Sequence, residues 1–350
     1  MRVFYPVFRI FFIVTLSSFS IPLFAKERLP DDSWTATLRF ENDLFADTDR
    51  NYTNGIKLSW ISPDLDHFRD SEKLPEWSKR WIRKLPFSRE EGLQRNITFS
   101  VGQLMFTPTD ISRYDLIVDD RPYAGWLYSA LGFHNKSYRH LDTIELQFGI
   151  IGPWSLAEES QDLIHDIRDI PKANGWDNQL KNEPGFAFIY ENKSRVIPLK
   201  TFNGWGFDAI THYGAAIGNV FTYVNSGIEM RFGWNIPTDF GTSLIRPGGE
   251  TNAPTDTADP RYKEVGHGFS LHAFAGATGR LVLHDIFLDG NTFRDSHSVD
   301  KEYLVGDFVL GLSLIIDRFK LSYANVLRTE EFKLQKSGHN FGSISLSITY

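Results

Sequence analysis

The chain has 350 residues, a net charge of -7 and no cysteine. The negative balance argues against a nucleic-acid partner, and the missing thiols exclude cysteine catalysis and thiolate metal sites. The length suits one large β-domain or two smaller ones, and 29 Phe, 13 Tyr and 9 Trp raise the aromatic share to 15%.

The chain opens with "MRVFYPVFRIFFIVTLSSFSIPLFA". Basic Arg2 and Arg9, an apolar run from Ile10 to Leu16 and a final Leu23-Phe24-Ala25 predict a secretory leader over 1–25. The apolar run is short for a membrane anchor. No later stretch approaches about 18 consecutive apolar residues, so no helical span is expected in the remainder.

From residue 33 onward the pattern is period-two alternation. Ile97, Phe99 and Val101 alternate with Thr98, Ser100 and Gly102, and Ile144, Leu146, Phe148 and Ile150 with Glu145, Gln147 and Gly149. Ile228, Met230, Phe232 and Trp234 alternate with Gly227, Glu229, Arg231 and Gly233. At the end, Ile344, Leu346, Ile348 and Tyr350 alternate with Ser343, Ser345, Ser347 and Thr349. In a soluble sandwich the apolar face is the core; in an outer-membrane barrel it faces lipid. Long strands, a final aromatic residue and aromatic residues near strand ends (Trp34, Trp60, Trp126, Trp234, Tyr350) favour the barrel.

The spacing predicts a twelve-stranded antiparallel transmembrane β-barrel, one domain over 26–350. Its strands lie at 33–43, 53–62, 95–107, 123–138, 140–152, 184–197, 202–218, 221–235, 267–286, 302–316, 318–329 and 339–350. The 63–94 connection ("LPEWSKRWIRKLPF") reads as a short amphipathic surface helix, and 236–265, rich in Pro, Thr and Gly, as a loop. A barrel that begins and ends in the periplasm sends its odd-numbered connections outside. That places 43–53, 108–122 and 153–183 together on the rim that meets lipopolysaccharide.

The hairpin "FENDLFADTDRNYTNGIKLSW" at 40–60 holds far more charge and amide than a turn needs. By alternation Trp34, Ala36, Leu38 and Phe40 face lipid and Thr35, Thr37, Arg39 and Glu41 face inward. Continued, the pattern points Asn42 at lipid and Asp43 inward. Thr53 shares the parity of inward Lys57, so Asp43 and Thr53 are expected to meet near the rim. Residues 155–170 have helical spacing, which puts Gln161 and His165 on one face. A neutral histidine there suits a general base near neutral pH, and an exposed loop histidine is the plainer reading.

These pieces together resemble the lipid A 3'-O-deacylase family, the outer-membrane LpxR barrels. The strings are "ENDLFADTDRNYTNGIKLSW" (41–60), "DDRPYAGWLY" (119–128), "GIIGP" (149–153), "QDLIHDI" (161–167) and "GWDNQLKNEPG" (175–185). The resemblance implies an active site at the outer rim, between barrel wall and external loops. It implies calcium-dependent removal of the 3'-linked acyloxyacyl chain of lipid A. Asn42 and Asp43 match the family's Asn-Asp pair, Thr53 its hydroxyl residue, His165 its general base and Gln161 a polar active-site position. Arg113 falls where the best-known members carry Lys. Arg keeps the charge and pairs bidentately with phosphate but donates protons poorly. The acidic residue that follows the histidine in the family is matched here by Asp166, by Asp169 or by neither.

The implied Ca2+ site is Asp43 with oxygens of Asn42 and Thr53, since oxygen donors suit calcium better than zinc. The expected partner is lipid A of lipopolysaccharide in the outer leaflet, and the expected state a monomer. Two other readings stand beside this one. A serine-based outer-membrane phospholipase would pair Ser with His at the rim, which this sequence does not do persuasively. A non-enzymatic pore would need an open lumen, whereas inward Arg39, Lys57, Glu145, Glu229 and Arg231 can pair and fill it.

Overall fold

The alternating segments form β1 (Thr35–Asn42), β2 (Asn51–Ile61), β3 (Gln94–Thr107), β4 (Ala124–Lys136), β5 (His140–Ile151) and β6 (Glu183–Phe202). They continue as β7 (Trp205–Gly218), β8 (Phe221–Trp234), β9 (Phe269–Asp285), β10 (Leu304–Ile316), β11 (Phe319–Arg328) and β12 (His339–Thr349). The computed structural model describes residues 32–43, 51–65, 93–242, 244–256, 258–262 and 268–350. The leader at 1–25, most of the 63–94 connection with its expected helix, and Asp47, Asp49 and Arg50 lie outside the described residues.

Each strand pairs antiparallel with the next, and β1 closes on β12. Closure runs from Thr35↔Thr349 to Asn42↔Gly342. Trp34 and Tyr350 then exchange two backbone hydrogen bonds of 2.8 Å. The terminal strand therefore uses its last residue to remove the sheet edge, which an open strand would expose.

The wall inverts the soluble pattern. Leu38, Leu58, Phe99, Leu146, Phe232 and Leu310 are exposed, while Arg39, Lys57, Glu145 and Arg231 beside them are buried. Charge inside and apolar surface outside is the arrangement of a membrane barrel and excludes a sandwich core. Trp126 leaves the expected aromatic girdle. It is 1% exposed and stacks on Tyr128 inside the lumen at 4.3 Å.

Trp34 and Tyr350 lie at one rim, with tight turns at 137–139, 203–204 and 317–318. Asn203 (φ 48°), Gly204 (φ 85°) and Asp317 (φ 52°) supply the left-handed backbone such turns demand. The opposite rim carries the connections 43–50, 108–123, 152–182, 286–303 and 329–338. We call these the terminal rim and the loop rim. Two short helices belong to the loop rim: α1 (Ala157–Arg168) and α2 (Ile286–Asp289).

The connection between β8 and β9 is a loop, as read, with a single 3-10 turn at Pro260–Tyr262, and it enters the barrel. Asp239 accepts from Arg231 at 2.7 Å, Arg261 at 3.0 Å and Lys320 at 2.7 Å. Glu250 pairs with Arg39 at 2.6 Å and Lys57 at 3.1 Å. Asp208 bridges Arg195 and Arg231. The wall cations thus find partners both on the inserted segment and on wall carboxylates such as Asp208 and Asp307. At the loop rim, Phe287 of α2 stacks on Phe106 at 4.2 Å and closes the mouth. Between plug and mouth remains a cavity of about 80 Å3 lined by Glu41, Tyr52, Tyr128, Arg246, Asp307 and Arg328.

Removing one member of a buried charge cluster costs about 3–5 kcal/mol, because the other charges stay desolvated. Asp239→Asn should therefore lower the urea midpoint of the folded barrel in detergent. The intact chain should also be silent in planar bilayers, and a variant with 236–262 replaced by a tight turn and Phe287→Ala should conduct. Conductance by the intact chain would contradict the plugged lumen.

Candidate active site

Two of the expected site residues, Asn42 and Thr53, lie at the loop rim on the outer face of the wall. The evidence is local. Tyr52 donates to Glu41 at 2.9 Å and packs on Phe106 and Phe341, so it points into the lumen. The β2–β3 register slips between Tyr52 and Asn54. This bulge inserts a residue and resets the alternation. Thr53 therefore does not share the inward face of Lys57, as alternation predicted. Its hydroxyl meets that of Thr107 at 2.7 Å. Thr107 lies on the face of β3 opposite Phe106, with Met105 and Gln103. Asn42, one position after lumen-facing Glu41, lies on that same outer face. Asn42, Asp43 and Thr53 are 3%, 0% and 4% exposed.

Helix α1 covers this outer face. Its buried residues Ala157, Gln161 and His165 recur every fourth position, the spacing of one helical stripe. Ala157 and Trp176 pack with Met105 and Tyr123. Gln103 donates to the Ser155 carbonyl at 2.7 Å. Gly125, paired with Met105 across β3–β4, permits the approach. A Cβ there would lie 2.1 Å from Ser155 Oγ and 2.3 Å from Ala157 Cβ. The chain enters the helix through Gly152 (φ 90°) and Leu156 (φ 57°).

Along the buried stripe each polar group is oriented. The Trp176 indole N–H donates to Gln161 Oε1 at 2.7 Å, which fixes the amide. Gln161 Nε2 is then a buried donor with no hydrogen-bond partner among the described residues. His165 Nδ1 lies 2.6 Å from the Pro171 carbonyl. A carbonyl only accepts, so Nδ1 carries a proton, which leaves Nε2 as the acceptor of the neutral tautomer. The orienting group is thus a backbone carbonyl. Asp166 turns away to Lys172 at 3.0 Å, and Asp169 caps the helix with φ 55°. Hydrogen bonds to Asp166 and Asp162 hold the Lys172 ammonium above its ordinary range.

Arg113 is exposed on the 108–122 loop, apart from the buried stripe. That loop is laced to 171–180: Asn174 N–H donates to the Ile111 carbonyl at 2.9 Å, and Asn178 Nδ2 to the Tyr114 carbonyl at 2.8 Å. Gly175 lets them close, since its Cβ would lie 3.1 Å from the Arg113 carbonyl oxygen. Thr107, Trp176, Ser155 and Gln103 also build the site. Alternation along β3 would have placed Gln103 and Thr107 outside, but nothing local names their partners.

The donors offered by Asn42, Asp43 and Thr53 are all oxygens on one short stretch of rim. Among the described residues no group of three or more His, Asp or Glu side chains is placed to hold a metal. One carboxylate with amide and hydroxyl oxygens is a donor set that would suit a hard cation.

Gly125→Leu should push α1 off the wall while leaving the strand ladder intact. The variant should keep the heat-modifiable mobility of a folded barrel yet become open to trypsin after Arg168 and Lys172. Unchanged resistance to trypsin would contradict the close packing of helix on wall.

A family profile described as outer membrane protein LpxR matches residues 10–350. Among solved structures, LpxR from Salmonella typhimurium is 16% identical with a TM-score of 0.71, covering 90% of this chain and 100% of that one. The β domain of the Bordetella autotransporter BrkA is 9% identical with a TM-score of 0.40, covering 91% and 98%. The translocator domain of the autotransporter NalP from Neisseria meningitidis is 7% identical with a TM-score of 0.37, covering 91% and 87%. No curated protein matches the chain. The family match spans nearly the whole sequence and the closed twelve-strand barrel agrees with it: this chain belongs to the LpxR family of outer-membrane proteins.

Proposed function

We propose that this protein is a lipid A 3'-O-deacylase, hydrolysing the ester of the 3'-linked acyloxyacyl chain at the outer leaflet. The observation that carries the reading is the oriented His165. Its Nδ1 is tied to the Pro171 carbonyl at 2.6 Å, on a helix stripe packed against β3 and β4, and β3 also carries Thr107, the partner of Thr53. A base on the membrane side of a barrel is where a lipid ester would reach it. An outward-facing site is the reading that gives the loop rim access to the outer leaflet, where lipid A lies.

The chemistry follows from the groups present. His165 Nε2 accepts a proton from water as the water oxygen bonds to the ester carbonyl carbon. Gln161 Nε2, the unsatisfied donor of the stripe, hydrogen-bonds the developing oxyanion. Collapse breaks the bond to the sugar 3'-oxygen, which takes the proton back from His165. The acyloxyacyl acid and the 3'-hydroxyl are the products. Asp43, with Asn42 and Thr53, would hold a calcium ion. Such an ion supplies Lewis-acid stabilisation of the tetrahedral intermediate. Arg113 pairs with a lipid A phosphate from its exposed loop.

Mass spectrometry of lipid A incubated with the purified protein should show loss of one acyloxyacyl unit. Unchanged lipid A with lysophospholipid accumulating would move the reading to a phospholipase. His165→Gln should leave a folded barrel and cut turnover by roughly 10²–10⁴-fold, the usual loss for general acid–base catalysis. Near-normal turnover would remove His165 from the reaction.

Chelation should silence the enzyme without unfolding it, calcium should restore it and magnesium should do so poorly, being slow to shed water. Asp43→Ala should stay inactive in excess calcium, and full activity after exhaustive chelation would exclude the ion. Arg113→Lys should retain much of the activity and Arg113→Ala lose it through weaker binding. Equal loss in both, with unchanged binding, would contradict a phosphate role.

A further inference from the structure

Helix α1 has three faces, and the site uses only one of them. Ala157, Gln161 and His165 are buried against the wall. Glu158, Glu159, Asp162 and Asp166 form a second, acidic face, on which burial and then Glu159, Asp162 and Asp177 push the Glu158 carboxyl above its usual range. The third face is apolar and bare. Leu156, Leu163 and Ile167 are 51%, 60% and 62% exposed, and Trp154, just before the helix, is 70% exposed. Positions 156, 160, 163 and 167 fall on one stripe at 3.6 residues per turn, and its fourth member is the small Ser160.

The place of this stripe says what covers it. The helix lies on the outer side of β3 and β4, the side that faces the bilayer. The apolar wall also leads into it without a break: Phe148, 64% exposed on the outer face of β5, is followed by Ile150 and then by Trp154 and Leu156. A helix with one face on the protein, one acidic and one apolar has the make-up of an interfacial element, whose apolar side lies at the boundary of headgroups and acyl chains.

We infer that the Trp154–Leu156–Leu163–Ile167 face of α1 is immersed in the leaflet at the loop rim. The occupant is lipid acyl chain, not another protein. The acidic face then points to water, and the site between α1 and the wall opens sideways into the leaflet. Immersion requires only that the barrel spans a membrane. The consequence for substrate entry rests on the proposed deacylation.

The absence of cysteine makes the test clean. Single cysteines at 159, 163, 166 and 167 of the full chain would carry nitroxide labels in reconstituted lipid vesicles. Collision with oxygen and with a water-soluble nickel chelate would then be measured. Labels at 163 and 167 should be several-fold better shielded from nickel, and more open to oxygen, than labels at 159 and 166. Nickel access at 163 and 167 equal to that at 159 would overturn the inference. So would intermolecular spin–spin broadening confined to 163 and 167, which would make a second copy of the chain the occupant. A separate arm concerns entry: Leu163→Asp with Ile167→Asp should slow turnover of vesicle-embedded lipid A, while hydrolysis of a short-chain soluble ester persists. Inactivity of the unsubstituted protein on both substrates would defeat the proposed reaction and leave the immersion standing.

Discussion

The carboxylate of Asp239 is the constraint around which the molecule is arranged. Carried into the lumen by the β8–β9 connection, it receives Arg231 and Lys320 from the wall and Arg261 from its own segment. Its backbone carbonyl accepts from Arg195 at 2.8 Å. Positive groups inside a low-dielectric barrel need such partners, because an unpaired buried charge is costly. With them satisfied, the lumen is filled with salt bridges and closed above by Phe287. Other polar groups gather instead on the outside of the wall, under α1.

That outside face is built by two small departures from regular structure. The bulge at Tyr52–Asn54 turns Thr53 out while Tyr52 stays in, bonded to Glu41. Gly125 removes a side chain where Ser155 and Ala157 must touch the wall. One change reorients a hydroxyl; the other admits a helix. Between them lies a stripe in which Trp176 orients Gln161 and Pro171 orients His165. Both partners come from 171–176, so the same short segment that follows α1 sets the orientation of both polar groups on it.

Much of this was legible in the sequence because it is periodic or local. Alternation over whole strands marked twelve of them in nearly their observed places, and i,i+4 spacing put Gln161 and His165 on one face. The plug was not legible. Its Pro, Thr and Gly resemble any exposed loop, and its partners Arg39 and Lys57 lie far away in the chain. The direction of Thr53 was misread because parity counting assumes an unbroken register, and one inserted residue reverses it. Trp126 was misplaced for a related reason: an aromatic residue near a strand end suits a girdle or a sealed mouth, and only its stacking on Tyr128 decides. The sequence leaves open whether Asp166, Asp169 or neither supports His165; its contact with the Pro171 carbonyl is one that no residue type announces.

The central claim is that the lipid is handled on the outer wall face and not in the lumen. Adjacent residues of β3 test it, since Phe106 points in and Thr107 points out. A photoreactive amino acid would be placed at each position in turn, in His165→Gln protein incubated with lipid A, and the adducts weighed. The account predicts a lipid A adduct from position 107 and none from position 106. Adducts from 106 alone would contradict it and return the site to the interior of the barrel.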